Sequence, residues 1–157
     1  SSNDVVLCGS NGIKRYGSSR KEVIMPTIFS SDNIHEKLFA RNPFVHTSVM
    51  FRKQVFNKVG KYNEQFIMAQ DFELWMRMSK CGRIHYFDKP LVVRRVHDEM
   101  ISRNFKIKQF KYIMKARIIN HNNNYLMLIK YTAIDILMMS MPKFIKELLR
   151  KILIKMK

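Results

Sequence analysis

Hydrophobic and polar positions divide the chain into two regimes. Up to Val96, short apolar runs alternate with stretches of helical spacing. From Asn104 onward, basic and apolar residues interleave at a helical period. Residues 5–8 (VVLC) form an apolar run stopped by Gly9, which predicts a buried strand. Residues 9–22 are polar and rich in Gly and Ser, and read as a loop or an exposed hairpin. Residues 31–40 predict a short helix, with Ile34, Leu38 and Phe39 on its apolar face and Ser30, Ser31 or Asp32 as its cap. Asn42-Pro43 ends it. Residues 44–51 (FVHTSVMF) are β-branched and aromatic, and predict a strand.

A helix over 53–59 closed by Gly60 follows, then a better one over 69–80. In the second, Phe72, Trp75, Met76 and Ser79 share a stripe, and Gly82 is placed to cap its end. Residues 83–87 and 91–96 read as two strands around Asp88-Lys89-Pro90. The alternation of strand and helix is that of an α/β domain over residues 1–104. Residues 105–157 form a basic amphipathic helical tail: a helix over 105–120, a break at Asn122-Asn123-Asn124, and an apolar run over 125–141. That run carries Lys130 and Asp135 and is too short and too charged to span a bilayer. After Pro142, residues 143–157 set Phe144, Ile145, Leu148, Leu149, Ile152 and Leu153 on one face with Lys and Arg opposite, the pattern of a helix lying in a membrane interface.

Composition narrows the class. In 157 residues, 46% hydrophobic and 26% charged is the balance of a folded domain rather than a disordered one. The chain starts at Ser1-Ser2 with a strand close behind and no leader, so it reads as a piece of a longer chain without a signal peptide. Cys8 and Cys81 make neither a disulfide framework nor a zinc signature, and read as buried thiols in a reducing compartment. The net charge is +17, and residues 101–157 hold thirteen basic and two acidic residues, +11 of it. Such a surface attracts nucleic acid, anionic lipid or nucleotide diphosphates. No helix-turn-helix, zinc-finger or RNA-recognition signature is present, which weighs against a nucleic-acid-binding module. The tail either lies on an anionic membrane or packs on protein, and a polar face of nearly all Lys and Arg favours the membrane.

Candidate chemistry centres on Asp71, at the loop-to-helix junction before Phe72, Leu74 and Trp75. Two roles fit a carboxylate there. It can cap or complement the helix N-terminus, or it can act as a general base at the mouth of a cleft, where α/β folds place ligands.

Around it, four pieces stand in order: Asn42 with His46-Thr47-Ser48, then VGKYNE from Val59, then DFELWMR from Asp71, then Arg95-Val96-His97 followed by Ser102. Together they resemble the family-two inverting glycosyltransferases, over roughly residues 1–104. The resemblance implies the C-terminal, acceptor-side half of a GT-A fold, with a mixed sheet. It implies transfer of a sugar, of hexosyltransferase type, from a nucleotide-diphosphate sugar to a saccharide or lipid-linked acceptor, in bacterial surface polysaccharide or glycolipid synthesis. Asp71 matches the family's catalytic base, and Gln70 stands where the family often has an acid. His97 resembles a late histidine that approaches the donor diphosphate or its metal, and is otherwise a loop residue.

Arg95 either pairs with diphosphate or lies on the surface. Trp75 either floors an acceptor-sugar site or belongs to the core. His46 is either a satisfied core histidine or part of an acceptor pocket. The divalent cation of such enzymes, Mn or Mg, is bound mainly by an Asp-x-Asp in the half that precedes this one; no Asp-x-Asp occurs here, so the chain alone is expected to be inactive. The resemblance also implies a cytoplasmic location, peripheral at the inner face of the cell membrane. A non-catalytic transferase-like subunit is the other reading.

Overall fold

The computed structural model describes residues 4–16, 20–24, 34–96, 106–142 and 144–145. The chain divides into two compact units, Ser1–Asn120 and His121–Lys157. The fold is mixed α/β.

In the first unit, β1 (Val5–Tyr16) is the spine of a mixed sheet. β4 (Arg83–Val96) runs parallel to it along its whole length, from Val5↔Arg83 to Tyr16↔Val96. One edge of β1 is thereby filled. β2 (Arg20–Ile24) and β3 (Met50–Phe51) both pair antiparallel to β1 and so share the other edge. β2 takes Gly12 to Tyr16, and β3 takes Leu7 and Cys8. Four strands therefore make a sheet three ribbons wide. Residues 9–16, read as loop or hairpin, continue the strand and form a hairpin with β2. Interstrand pairing on both edges supplies the order that their polar sequence does not advertise.

The two strands expected around Asp88-Lys89-Pro90 are one. Its register with β1 skips between Ser10↔Phe87 and Asn11↔Pro90, so extra residues bulge from β4 while β1 runs straight. Pro90, which has no N–H, sits at that bulge. Asn11 Nδ2 spans it to the carbonyl of Asp88 at 3.3 Å.

Three helices stand where the spacing and the break signals predict them. α1 (Ile34–Ala40) buries Ile34, Leu38 and Phe39, and the residues expected to cap it lie outside the described ones. α2 (Lys53–Lys58) is followed by Gly60 at φ 89°, the left-handed exit that glycine makes cheaply. α3 (Gln70–Met78) buries six of its nine residues, among them Leu74, Trp75 and Met78, so it is a core helix rather than a surface one with a single stripe. A 3-10 turn over Ser79–Cys81 follows α3 and leads to Gly82. Gly82 is extended rather than left-handed, and the reason for glycine is space. A Cβ would lie 2.5 Å from Val6 Cγ1 and 2.6 Å from the Asp4 carbonyl oxygen. Cys8 is half-buried and Cys81 exposed, so neither is the sequestered thiol expected.

The strand expected over 44–51 is largely replaced by a 3-10 turn at His46–Ser48, and only Met50–Phe51 pair with β1. The Ser48 hydroxyl explains the turn. It accepts from Ser10 N (2.9 Å), and its proton is within reach of the Val45 (2.8 Å) and Ser10 (3.1 Å) carbonyls. A side chain that ties its own turn to β1 competes with ladder pairing.

α4 (Lys106–Asn120) lies in the first compact unit. Its inward face is Ala116, Arg117 and Asn120, whereas Ile107 and Ile118 are exposed. Buried Arg117 donates to the carbonyls of Phe39 (3.0 Å) and Ala40 (2.5 Å) at the end of α1. Asn120 Oδ1 accepts from Lys80 at 2.9 Å. Tyr112 lies 5.9 Å from the Phe66 ring, with Lys115 over that ring at 5.0 Å.

In the second unit, α5 (Tyr125–Ser140) starts after Asn122 and Asn123, both left-handed. Asn124 accepts from Met127 N at 3.1 Å as its N-cap. None of the helix's residues is buried. Leu126, Ile129, Ile136 and Leu137 are all more than half exposed. No helix among the described residues is long and apolar enough to cross a membrane. The facing pattern expected over 143–157 lies almost wholly outside the described residues.

Candidate active site

The approach to α3 is unusual in its backbone. After Gly60, Lys61 is left-handed (φ 55°), and Ala69, immediately before α3, is left-handed too (φ 56°). For residues with a Cβ this conformation costs about 1–2 kcal/mol each, so the surroundings must impose it. Two anchors do so. Phe66, 3% exposed, is held in the core between the two bends. Arg77 reaches back from α3 to donate to the Val59 carbonyl and, at 2.6 Å, to that of Lys61. Arg77 is in turn fixed by a two-pronged pair with Glu73, Nε to Oε1 and Nη2 to Oε2 both at 2.7 Å.

This scaffold delivers Asp71 as the second residue of α3. The N-cap is Ala69, which has no side chain to cap with, and Asp71 does not take that role. Its Oδ1 accepts from the next backbone amide, Phe72 N, at 2.8 Å. Its Oδ2 accepts from Asn42 Nδ2 at 2.9 Å. Asn42 is itself pinned, its Oδ1 accepting from Phe44 N at 3.1 Å. The carboxylate thus lies in the first turn of a helix, where the dipole favours negative charge, with one donor on each oxygen and a quarter of its side-chain surface open. Tyr62 is close enough to feel it: burial first, then the charge of Asp71, pushes the Tyr62 hydroxyl up from its ordinary value.

His46 also meets Asp71. Its Nδ1 is 3.6 Å from Asp71 Oδ2, and its side chain is 57% exposed. The 3-10 turn places it there, so His46 is not the mid-strand core histidine that the apolar run suggested. Below it lies Trp75, one helical turn on from Asp71, with ring centroids 6.2 Å apart. Phe51 packs on the same indole at 5.6 Å. Trp75 is 1% exposed and forms part of the core beneath the site rather than a floor open to a ligand. Its Nε1 finds no acceptor among the described residues.

Gln70 is exposed at the start of α3, beside Asp71 in sequence. Arg95 is exposed on β4 in register with Arg15. That register is five residues along β1 from Ser10, where the His46 turn is tied. The two positions on β1 are about 17 Å apart, and among the described residues no hydrogen bond or ion pair joins Arg95 to Asp71 or His46. His97 and Ser102 lie outside the described residues. Among the described residues no three His, Cys, Asp or Glu side chains gather as a metal site.

Three participants, Asn42, Glu73 and Arg77, carried no assigned role in the sequence. Asn42 stood in the motif, but nothing in its spacing said that its amide would reach Asp71. Glu73 and Arg77 were legible in principle, because an acid four residues before a base on one helix is a stabilising pair.

No family model matches the chain. Over 79 residues, half of this chain, it is 33% identical to the amylovoran biosynthesis glycosyltransferase AmsE of Erwinia amylovora. The match spans 29% of that protein's length. The chain is similar to a glycosyltransferase over that stretch.

Proposed function

We propose that this chain forms the acceptor-side half of an inverting glycosyltransferase of the GT-A fold. The enzyme transfers a hexose-type sugar from a nucleotide-diphosphate donor to a saccharide or lipid-linked acceptor, in surface polysaccharide or glycolipid synthesis. The similarity to a transferase of amylovoran biosynthesis supports the class of reaction. One observation carries the site: Asp71, in the first turn of a buried helix, is held by Asn42 and the Phe72 amide and still keeps a quarter of its side chain open.

In this reading Asp71 removes the proton from the acceptor hydroxyl as that oxygen attacks the anomeric carbon, which makes a neutral alcohol a competent nucleophile. Asn42 and the Phe72 amide fix the carboxylate's rotation, so the proton is met in one geometry. A divalent cation, Mn or Mg, would stabilise the leaving diphosphate. The described residues do not gather as a site for it. Other residues would therefore have to hold it, and the proton transfer to Asp71 does not run through it.

The same proposal sets the enzyme at the cytoplasmic face of the cell membrane, held by residues 125–157. Support comes from α5, none of whose residues is buried although it is not long and apolar enough to span, and from the basic excess of residues 125–157, seven Lys and Arg against two acids.

Asp71→Asn in the full-length protein tests the base. The amide keeps the shape and loses the proton affinity. Turnover should fall by about 10²–10⁴ while donor binding, measured by calorimetry, is retained. Sugar transfer at the wild-type rate in this variant excludes Asp71.

A further inference from the structure

The geometry points to His46 as a proton-relay residue for Asp71. In this role the imidazole takes from Asp71 the proton that came from the acceptor and hands it to water. The inference rests on Asp71 being the base, and it follows from what surrounds the carboxylate. Among the described residues three groups touch it: Phe72 N on Oδ1, Asn42 Nδ2 on Oδ2, and His46 Nδ1 at 3.6 Å from Oδ2. The first two are donors and cannot accept a proton. Tyr62, the neighbour whose hydroxyl responds to the Asp71 charge, is pushed towards keeping its own proton. Of these described neighbours, only the imidazole nitrogen can act as a proton acceptor, and an imidazole is a stronger base than a carboxylate.

The exit is also built. An acceptor that reaches Asp71 must cover its open quarter, and that closes the carboxyl group's direct route to solvent. His46 is 57% exposed and offers another route. Its ring lies against Trp75, and its turn is clamped to β1 through Ser48 and Ser10, so the imidazole is held beside Oδ2. The separation is a few tenths of an ångström beyond a hydrogen bond, a gap that catalytic contacts close when substrate binds.

The steps balance. The acceptor oxygen bonds to the anomeric carbon, the bond from that carbon to the diphosphate oxygen breaks with its electron pair leaving on diphosphate, and the acceptor proton passes to Asp71. The proton then moves from Asp71 Oδ2 to His46 Nδ1, which restores the carboxylate and forms an imidazolium. Loss of that proton to water regenerates the neutral imidazole.

The test is chemical rescue in the full-length enzyme. His46→Ala should lower kcat by about tenfold to a hundredfold, with the KM for acceptor little changed. Added imidazole should raise kcat in proportion to its concentration, an effect that a merely structural loss would not show. His46→Gln retains size and polarity but cannot carry a proton, and should show the same fall. It decides the matter if the alanine variant is unfolded by circular dichroism. A wild-type kcat in either folded variant overturns the relay, as does a fall in His46→Ala that imidazole leaves unchanged. Asp71→Asn should stay inactive with or without imidazole. If it turned over normally, the base assignment itself would fail, and the relay with it.

Discussion

Replacing Arg77 by Met tests whether α3 is held as described. Glu73 is 1% exposed, and its carboxylate is paired at both oxygens by the Arg77 guanidinium, itself 19% exposed. Methionine fills much of the stem's volume but leaves Glu73 buried without its counter-charge. Breaking one side of a buried pair typically costs about 3–5 kcal/mol, far more than the pair contributes relative to an apolar replacement. The variant also frees the Val59 and Lys61 carbonyls, which hold the left-handed turn ahead of Asp71.

Hydrogen exchange read by mass spectrometry on the α3 peptide isolates the effect from the rest of the protein. A loss of about 3 kcal/mol should speed exchange of the most protected α3 amides by on the order of a hundredfold. Adding Glu73→Gln to Arg77→Met should recover part of the protection, because no lone charge is then buried. Unchanged α3 protection in Arg77→Met would refute the claim that this pair holds the helix, and with it the account of how Asp71 is presented.

Two further outcomes follow from the rest of the molecule. Burial, with the charge of Asp88 adding to it, pushes the Tyr86 hydroxyl well above its ordinary 10.0. Below about pH 10 folded and unfolded chains both hold that proton and the contribution is whole; above it the unfolded chain loses the proton first, so stability falls as pH rises. Tyr86→Phe should flatten this alkaline decline in urea midpoints taken at about pH 9 and about pH 11, and an identical decline in the variant would rule Tyr86 out as its source. The full-length protein should float with vesicles containing anionic phospholipid and not with purely zwitterionic ones, with retention falling as salt rises; salt-sensitive DNA binding without vesicle binding would overturn the membrane proposal.

What the sequence made legible, and what it hid, follows the range of the interactions involved. α2 and α5 were readable because their start and stop signals are local: Gly60 at positive φ, and the Asn122-Asn123-Asn124 run whose last member caps α5. Asp71 was readable as a position, and the structure puts Ala69 in the N-cap place and leaves Asp71 as an acid of the first turn, bonded to the Phe72 amide. The length of β1 was hidden because its order comes from β4 and β2, and β4 lies far along the chain. The 44–51 run misled because a single hydroxyl, Ser48, bonds across to Ser10 and turns β-prone residues into the turn that presents His46. Had that run stayed extended, successive side chains would alternate across the sheet.

The basic residues of α4 show why charge alone was a poor guide to function. Read as composition, residues 105–120 look like a cationic surface. In the structure Arg117 is 1% exposed and satisfies the last carbonyls of α1, and Lys115 lies over the Phe66 ring that anchors the approach to α3. These cations act inside the first unit, capping one helix and steadying the loop that leads to Asp71. Arg117 and Lys115 help hold α4 in place, because the α1 carbonyls and the Phe66 ring each take a partner from it, whereas Lys108 and Lys111 stay exposed. Electrostatics therefore has to be read residue by residue. By that standard the claim on an anionic membrane rests on the exposed apolar surface of α5 together with the charge around it, and not on the net charge of the chain.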